Sequence, residues 1–184
     1  MLDSARSHLC EHGTQEVDMD TLTPQELRDS FVNCSRADAA DLPLPPGMHE
    51  VDWSRREYLG WRDPRLPQRG YVVIPTPSGP VGIVLRASDA SMRSHAPTIC
   101  GWCQDVHVTR DVYFWSARRA GDAGRKGDTV GALVCASFEC TENVRRTPPP
   151  QFVGFDAERV IEDQITGLGE RVRRFAQAVV GVRP

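Results

Sequence analysis

The sequence predicts an α+β fold: a helical N-terminal segment, then an antiparallel-sheet domain carrying clustered cysteines, then a C-terminal helix. Three observations carry this prediction. A capped, amphipathic helix begins at Thr23. Four β-rich runs between residues 71 and 134 come as two pairs, each joined by turn-forming residues. Residues 156–180 return to helical periodicity. At 184 residues the chain is long enough for one substantial core, or for a small helical unit joined to a second compact domain.

Residues 1–20 read as a tail. The first eighteen carry mixed charges without a clear period, and Met19 begins a stretch that looks more like a natural start. Residues 21–47 form the helical segment. Thr23 is placed to cap, Pro24 occupies the first helical position, and Glu26 stands three residues after the cap. Leu27, Phe31 and Cys34 fall at i, i+4 and i+7, which predicts one helix from Pro24 to about Asp41, stopped by "LPLPPG".

Residues 48–147 make up the sheet domain. Its first part, 48–70, is aromatic, rich in arginine and punctuated by turns, and Trp53, Tyr58 and Trp61 are expected to pack against the sheet. "YVVIPT" and "VGIVLR" flank the turn composition "PSGP", predicting antiparallel strands at 71–76 and 81–86. "VTRDVYFWSARR" (108–119) and "TVGALV" (129–134) form a second pair across "AGDAGRKGD". A short helix is expected from Cys140 to Arg146, ended by Pro148, Pro149 and Pro150. Residues 148–184 then give a proline-rich linker and a helix with Val160, Ile161, Ile165, Leu168, Val172, Phe175 and Val179 at helical spacing, weakened by Gly167 and Gly169.

The formal net charge is −3, so no global basic field advertises nucleic acid, though local patches are compatible with that balance. No apolar run approaches the roughly 20 residues of a membrane span. The N-terminus lacks the apolar core of a secretory signal, and a cytoplasmic location with reduced thiols is the expectation. Lys126 is the only lysine beside 21 arginines. A GC-rich coding sequence accounts for the skew but not for where the lone lysine stands.

The chemistry concentrates in two cysteine pairs. Cys100 and Cys103 form C-x2-C, and after 31 intervening residues Cys135 and Cys140 form C-x4-C. Zinc takes four tetrahedral ligands, and thiolates supply them without redox consequence. The first pair suits a tight turn. In the second, Cys135 would leave a strand and Cys140 would enter the first turn of a helix, where free amides and the helix dipole favour negative sulfur. Knuckle, hairpin and ligand-bearing helix are the layout of a treble-clef zinc finger, here over residues 97–147. A thioredoxin-like redox pair would need a βαβ context that is missing here, and four unrelated buried thiols would not account for the paired spacing. An all-cysteine site has no open position for water, so one structural Zn2+ is expected and not a catalytic one. Cys10 and Cys34 have no partner at metal spacing, and His107 is an alternative ligand near the first pair.

"ARRAGDAGRKGDTVG", Ala117 to Gly131, joins basic residues to glycines. It suits either an anchored hairpin loop gripping a large surface or a solvated hairpin tip. It is not a phosphate-binding P-loop, because Gly127 follows Lys126. No nucleophile–base spacing stands out among Ser91, Ser94, His95 and His107, and no enzyme is expected.

Together, "ELRDSFVNCSRADA", "LGWRDPRLPQRGYVV", "PVGIVLR", "CGWC", "ARRAGDAGRKGDTVG" and "CASFEC…VRR" resemble the FBP family, whose C-terminal treble-clef domain is shared with FusB-type elongation factor G-binding proteins. The resemblance runs from about residue 21 to residue 147. It implies a cytoplasmic zinc protein that binds elongation factor G; in FusB-type members this binding helps release the factor from ribosomes stalled by fusidic acid. It carries the zinc ligands onto Cys100, Cys103, Cys135 and Cys140. It also puts the partner surface beside the finger, with Trp102, Arg125, Lys126 and Thr129 near the contact. Arg118 and Arg119, at the start of the same loop, complete the candidate set. Only one strong helix precedes the proline break at residue 43, where FusB-type proteins have a full helical bundle. The alternative function is an RNA- or ribosome-binding module using Arg118, Arg119, Arg125, Arg145 and Arg146 on phosphates.

Overall fold

A computed structural model of the chain describes residues 19–93, 98–106, 111–150, 152 and 154–182. Five strands, β1 (Leu59–Arg62), β2 (Arg69–Ile74), β3 (Val81–Ala87), β4 (Val112–Arg118) and β5 (Thr129–Cys135), form one antiparallel sheet in sequential order. The four expected strands are present. The fifth, β1, lies in the aromatic stretch, where Trp61 is itself a strand residue paired with Tyr71. Residues 108–110, assigned to a strand from the sequence, lie outside the described residues.

The helix expected over 24–41 is two short ones, α1 (Pro24–Asp29) and α2 (Arg36–Ala40). The capping box of Thr23 and Glu26 starts α1 as expected, but Ser35 and Asp38 build a second box that starts α2. Between them the chain is extended and pairs with β3. Val32 donates its amide to Gly82 (3.0 Å), and Gly82 donates to Ser30 (2.8 Å).

Asn33 explains why the strand-like path wins. Its Oδ1 accepts from the Val84 amide (2.8 Å), and its Nδ2 donates to the carbonyls of Val84 (2.9 Å) and Arg118 (3.1 Å). The paired register of β3 and β4 covers just Arg86↔Ser116 and Ala87↔Trp115. Asn33 fills the fork where the strands part, satisfying backbone groups that would otherwise lack partners.

Alternation along the strands divides the core into two. On the first face Val72, Ile74, Ile83, Leu85, Trp115 and Val134 pack with α5 (Cys140–Asn143) and with Leu168, Val172, Phe175 and Val179 of α6 (Ala157–Val180). α6 runs unbroken through Gly167 and Gly169, its start capped by Asp156. Each glycine costs a helix roughly 1 kcal/mol, which burial of that apolar stripe outweighs. On the second face Leu27, Phe31, Leu42 and Trp53 cover Leu59, Trp61, Tyr71 and Val73. The ring of Phe31 stands edge-on to both Trp61 and Tyr71. This cover reaches across β1 to β3 and no further among the described residues. Phe114 and Leu133, register partners in β4 and β5, remain 44% and 40% exposed. No helix among the described residues is long and apolar enough to cross a membrane.

Candidate metal centre and docking face

Each cysteine pair sits on a turn whose backbone is fixed locally. The amide of Gln104 donates to the Cys100 carbonyl (3.0 Å), the amide of Gly101 donates to Leu133 of β5 (2.7 Å), and Trp102 N–H points at Cys100 Sγ (3.4 Å). Cys135 closes β5 and Cys140 opens α5, with Phe138 between them in the left-handed region at φ 60°. The turns bring Cys100, Cys103, Cys135 and Cys140 together, all buried, with every Sγ within 4.8 Å of the others.

The fit to zinc can be tested by distance. A tetrahedral ion bonded to sulfur at about 2.3 Å separates its ligands by about 3.8 Å. Cys100 and Cys140 Sγ are 3.6 Å apart, and Cys103 and Cys135 Sγ are 3.7 Å apart. Both are far beyond the roughly 2.05 Å of a disulfide, and all four thiols are free.

Electrostatics points the same way. Burial, then the neighbouring sulfurs, pushes the Cys140 thiol up; hydrogen bonds to Cys100 and Cys103 raise Cys135; Cys100 is drawn well below the thiol range by accepting from the other three. Four thiolates packed this closely require a cation among them. Asn143, in α5, points Nδ2 at Cys135 Sγ (3.5 Å) and Cys103 Sγ (3.8 Å), a donor arrangement that suits thiolates. The four sulfurs fill a zinc tetrahedron, so the site is a structural one.

The finger is held against the rest of the fold on two sides. Tyr58 donates its hydroxyl to the Phe138 carbonyl (2.8 Å), and Phe138 packs on Trp115. Glu57 receives both guanidinium nitrogens of Arg145 (2.6 and 3.0 Å) and the hydroxyl of Thr141 (3.0 Å), while Arg56 pairs with Glu142. On the other side Arg171 of α6 donates from Nε to the Trp102 carbonyl (2.6 Å). The Trp102 ring is 3% exposed and stands edge-on between Tyr58 and Phe175. As a core residue it shapes the knuckle from within, and its ring is closed to a partner at the surface.

The other candidate partner residues lie elsewhere. Register pairs Val112 with Cys135 at one end of the β4–β5 hairpin and Arg118 with Thr129 at the other. The sulfur cage and the basic connection are thus separated by the length of a seven-residue strand, about 20 Å. Both belong to residues 97–147, at opposite ends of one hairpin.

The connection is also no open loop. It contains a short helix, α4 (Gly121–Arg125), packed so closely on the preceding strand end that a Cβ at Gly124 would lie 1.8 Å from the Arg119 carbonyl oxygen. Arg118, Arg125, Lys126 and Thr129 are exposed, and Arg125 pairs with Asp122. Arg119 is half-buried; its Nε donates to the Ala178 carbonyl of α6 (3.0 Å), while Ala120 N–H donates to Val179 (2.8 Å). Two turns of α6 therefore span from the zinc knuckle to the basic end. Among the arginines of the RNA alternative, Arg145 is committed to Glu57 and Arg146 is exposed. His107 and Cys10 lie outside the described residues.

Asn143, the Arg171 link and the exposed Phe114–Leu133 pair escaped the sequence reading. Asn143 follows Cys140 by three positions, one helical turn, which was a usable signal. The other two depend on strand register and helix docking.

The family model for the FBP C-terminal treble-clef zinc-finger matches residues 26–179. Among solved structures, that of the fusidic acid resistance protein FusC is similar, with a TM-score of 0.49 and 20% identity. The match covers 68% of this chain and 54% of FusC, so this chain accounts for about half of that protein's length. No curated protein matches.

Proposed function

The chain belongs to the FBP C-terminal treble-clef zinc-finger family, and from that premise we propose that it is a zinc-dependent, non-enzymatic binding protein for elongation factor G. The observation that carries the reading is the buttressed hairpin end. α6 is tied to the zinc knuckle through Arg171 and to the basic connection through Ala178 and Val179. It holds Arg118, Arg125, Lys126 and Thr129 outward on a fixed frame, with Arg119 bound into that frame from behind. Preorganised cationic side chains suit a large protein partner, because little ordering remains to be done on binding. The family resemblance supplies the partner, and release of the factor from the ribosome is the consequence it points to, in the cytoplasm where translation occurs.

The test is affinity for immobilised elongation factor G, measured with the wild-type chain and with the double variant Arg125→Ala/Lys126→Ala. We expect at least a roughly tenfold loss in the variant, with zinc content and unfolding midpoint unchanged. Equal affinities would remove the contact surface from the account, and absence of wild-type binding would remove the partner.

A further inference from the structure

Beyond the edge of the N-terminal cover lies a cleft of about 990 Å³, bordered by residues 32–35 on one side and by the β4–β5 connection on the other. Arginines line it in register. Arg69 of β2 stands directly opposite Arg86 of β3, and Arg86 stands opposite Ser116 of β4. On β4, Phe114 and Arg118 flank Ser116 two residues away on either side and so share its face.

Arg69, Arg86 and Arg118 are exposed, and among the described residues no carboxylate forms an ion pair with Arg86 or Arg118. Asp38, whose carboxylate feels Arg69, is the single acid among the residues lining the cleft. Like charges directly across a strand pair destabilise a sheet. In a chain of net charge −3, three neighbouring arginines on one open sheet face form a local field that an anion relieves.

The exposed aromatic ring on that face selects among anions. Phe114 lies down along the sheet over Gly131, where a Cβ would meet its Cζ at 2.3 Å. The ring lies outside the cleft's own lining but on the same sheet face, two residues along β4 from Ser116, where it offers a plane on which a base stacks while the arginines meet phosphates. An acidic peptide would use the arginines but would have no need of the ring. We propose that the open face of β3, β4 and β5 binds a short single-stranded nucleic acid segment, with phosphates on Arg69, Arg86 and Arg118 and a base on Phe114. The site shares Arg118 with the proposed elongation factor contact, and Arg119, Arg125 and Thr129 border the same cleft, whereas Arg69, Arg86 and Phe114 lie outside that contact.

Fluorescence anisotropy tests this with the full-length, zinc-bearing chain and a labelled eight-residue oligouridine, alongside the matching oligodeoxythymidine. Wild-type protein is expected to bind one or both, the stronger probe identifying RNA or DNA as the source. Arg86→Gln is expected to weaken binding about fivefold or more and to flatten the salt dependence by about 0.7 in slope. Phe114→Ala is expected to weaken it by about fivefold or more with the slope unchanged. Arg86→Glu places a carboxylate opposite Arg69, so it should abolish binding while raising the melting midpoint, separating loss of the site from loss of the fold.

Failure of the wild type to bind either probe overturns the proposal. So does binding that Phe114→Ala leaves intact and polyglutamate displaces, which would mark the face as one for acidic polypeptide. Arg86→Gln and Phe114→Ala leave Arg118, Arg125 and Lys126 in place, so measuring their affinity for elongation factor G beside their oligonucleotide binding lets either proposal fail alone.

Discussion

Arg171 and Trp102 join the longest helix to the zinc knuckle through a 2.6 Å hydrogen bond from Nε to a backbone carbonyl. Two turns further along, the same helix receives the Ala120 amide and the Arg119 side chain at the far end of the β4–β5 hairpin. Metal and basic connection therefore communicate through α6. Chelating zinc should loosen the knuckle and, through this helix, accelerate amide exchange at Ala120, about 20 Å from the sulfurs. Exchange mass spectrometry with and without chelator reads this directly. Unchanged protection at Ala120 would mean that the hairpin end is held independently of the metal.

The Arg171→Met variant separates the tether from the ion. It keeps much of the side-chain length while removing the donor to Trp102, and should lower stability by about 1–2 kcal/mol. Denaturant unfolding followed by tryptophan fluorescence measures it. Zinc stoichiometry should stay at one per chain, because Arg171 touches no sulfur in a hydrogen bond.

Asn143→Ala acts on the thiolates themselves. Removing an amide that faces Cys103 and Cys135 should lower zinc affinity by roughly 10- to 100-fold, the usual cost of losing an outer-shell partner. Competition with a chromogenic chelator measures the change. Affinity equal to the wild type would show that the amide does not support the cage.

Asn33→Ala tests the fork between β3 and β4. The change strips partners from the Val84 amide and carbonyl and from the Arg118 carbonyl, and should cost about 2–4 kcal/mol in denaturant unfolding. Zinc binding should be retained, since the fork lies on the opposite sheet face from the cage.

Asp63 gives the fold an acid limit. Burial works to raise its carboxyl, but the Tyr71 hydroxyl and the amides of Arg65 and Leu66 outweigh it and hold the value below the ordinary one. A carboxyl lowered in the folded state contributes stability above its unfolded pKa of about 3.9 and loses that contribution as pH falls through the folded value. Asp63→Asn should therefore cost about 1–3 kcal/mol at pH 7 and progressively less below about pH 4. Urea midpoints of both proteins across that range provide the check; a gap that persists at low pH would contradict the assignment.

What the sequence made legible follows from the range of the interactions involved. The C-x2-C and C-x4-C spacings were readable because each pair is local and sulfur–metal chemistry dictates the rest. The strands around "PSGP" and the α6 stripe were readable because periodicity records which face is buried. The break at Ser30 was not, although Ser35 and Asp38 signal a second cap, because the advantage of leaving the helix comes from Asn33 meeting Val84, 51 positions away. Strand β1 was hidden because its four residues, LGWR, are too few to show alternation. The separation of cage and basic connection depended on register across β4 and β5, and the burial of Trp102 depended on where α6 docks. The pairing of Arg69 with Arg86 appears only after folding.

Zinc K-edge X-ray absorption on the purified full-length chain tests the sulfur cage most directly. The account predicts one zinc per chain in a single shell of four sulfurs at about 2.3 Å. A shell containing nitrogen or oxygen in place of any of the four, or protein folded without stoichiometric zinc, would contradict it.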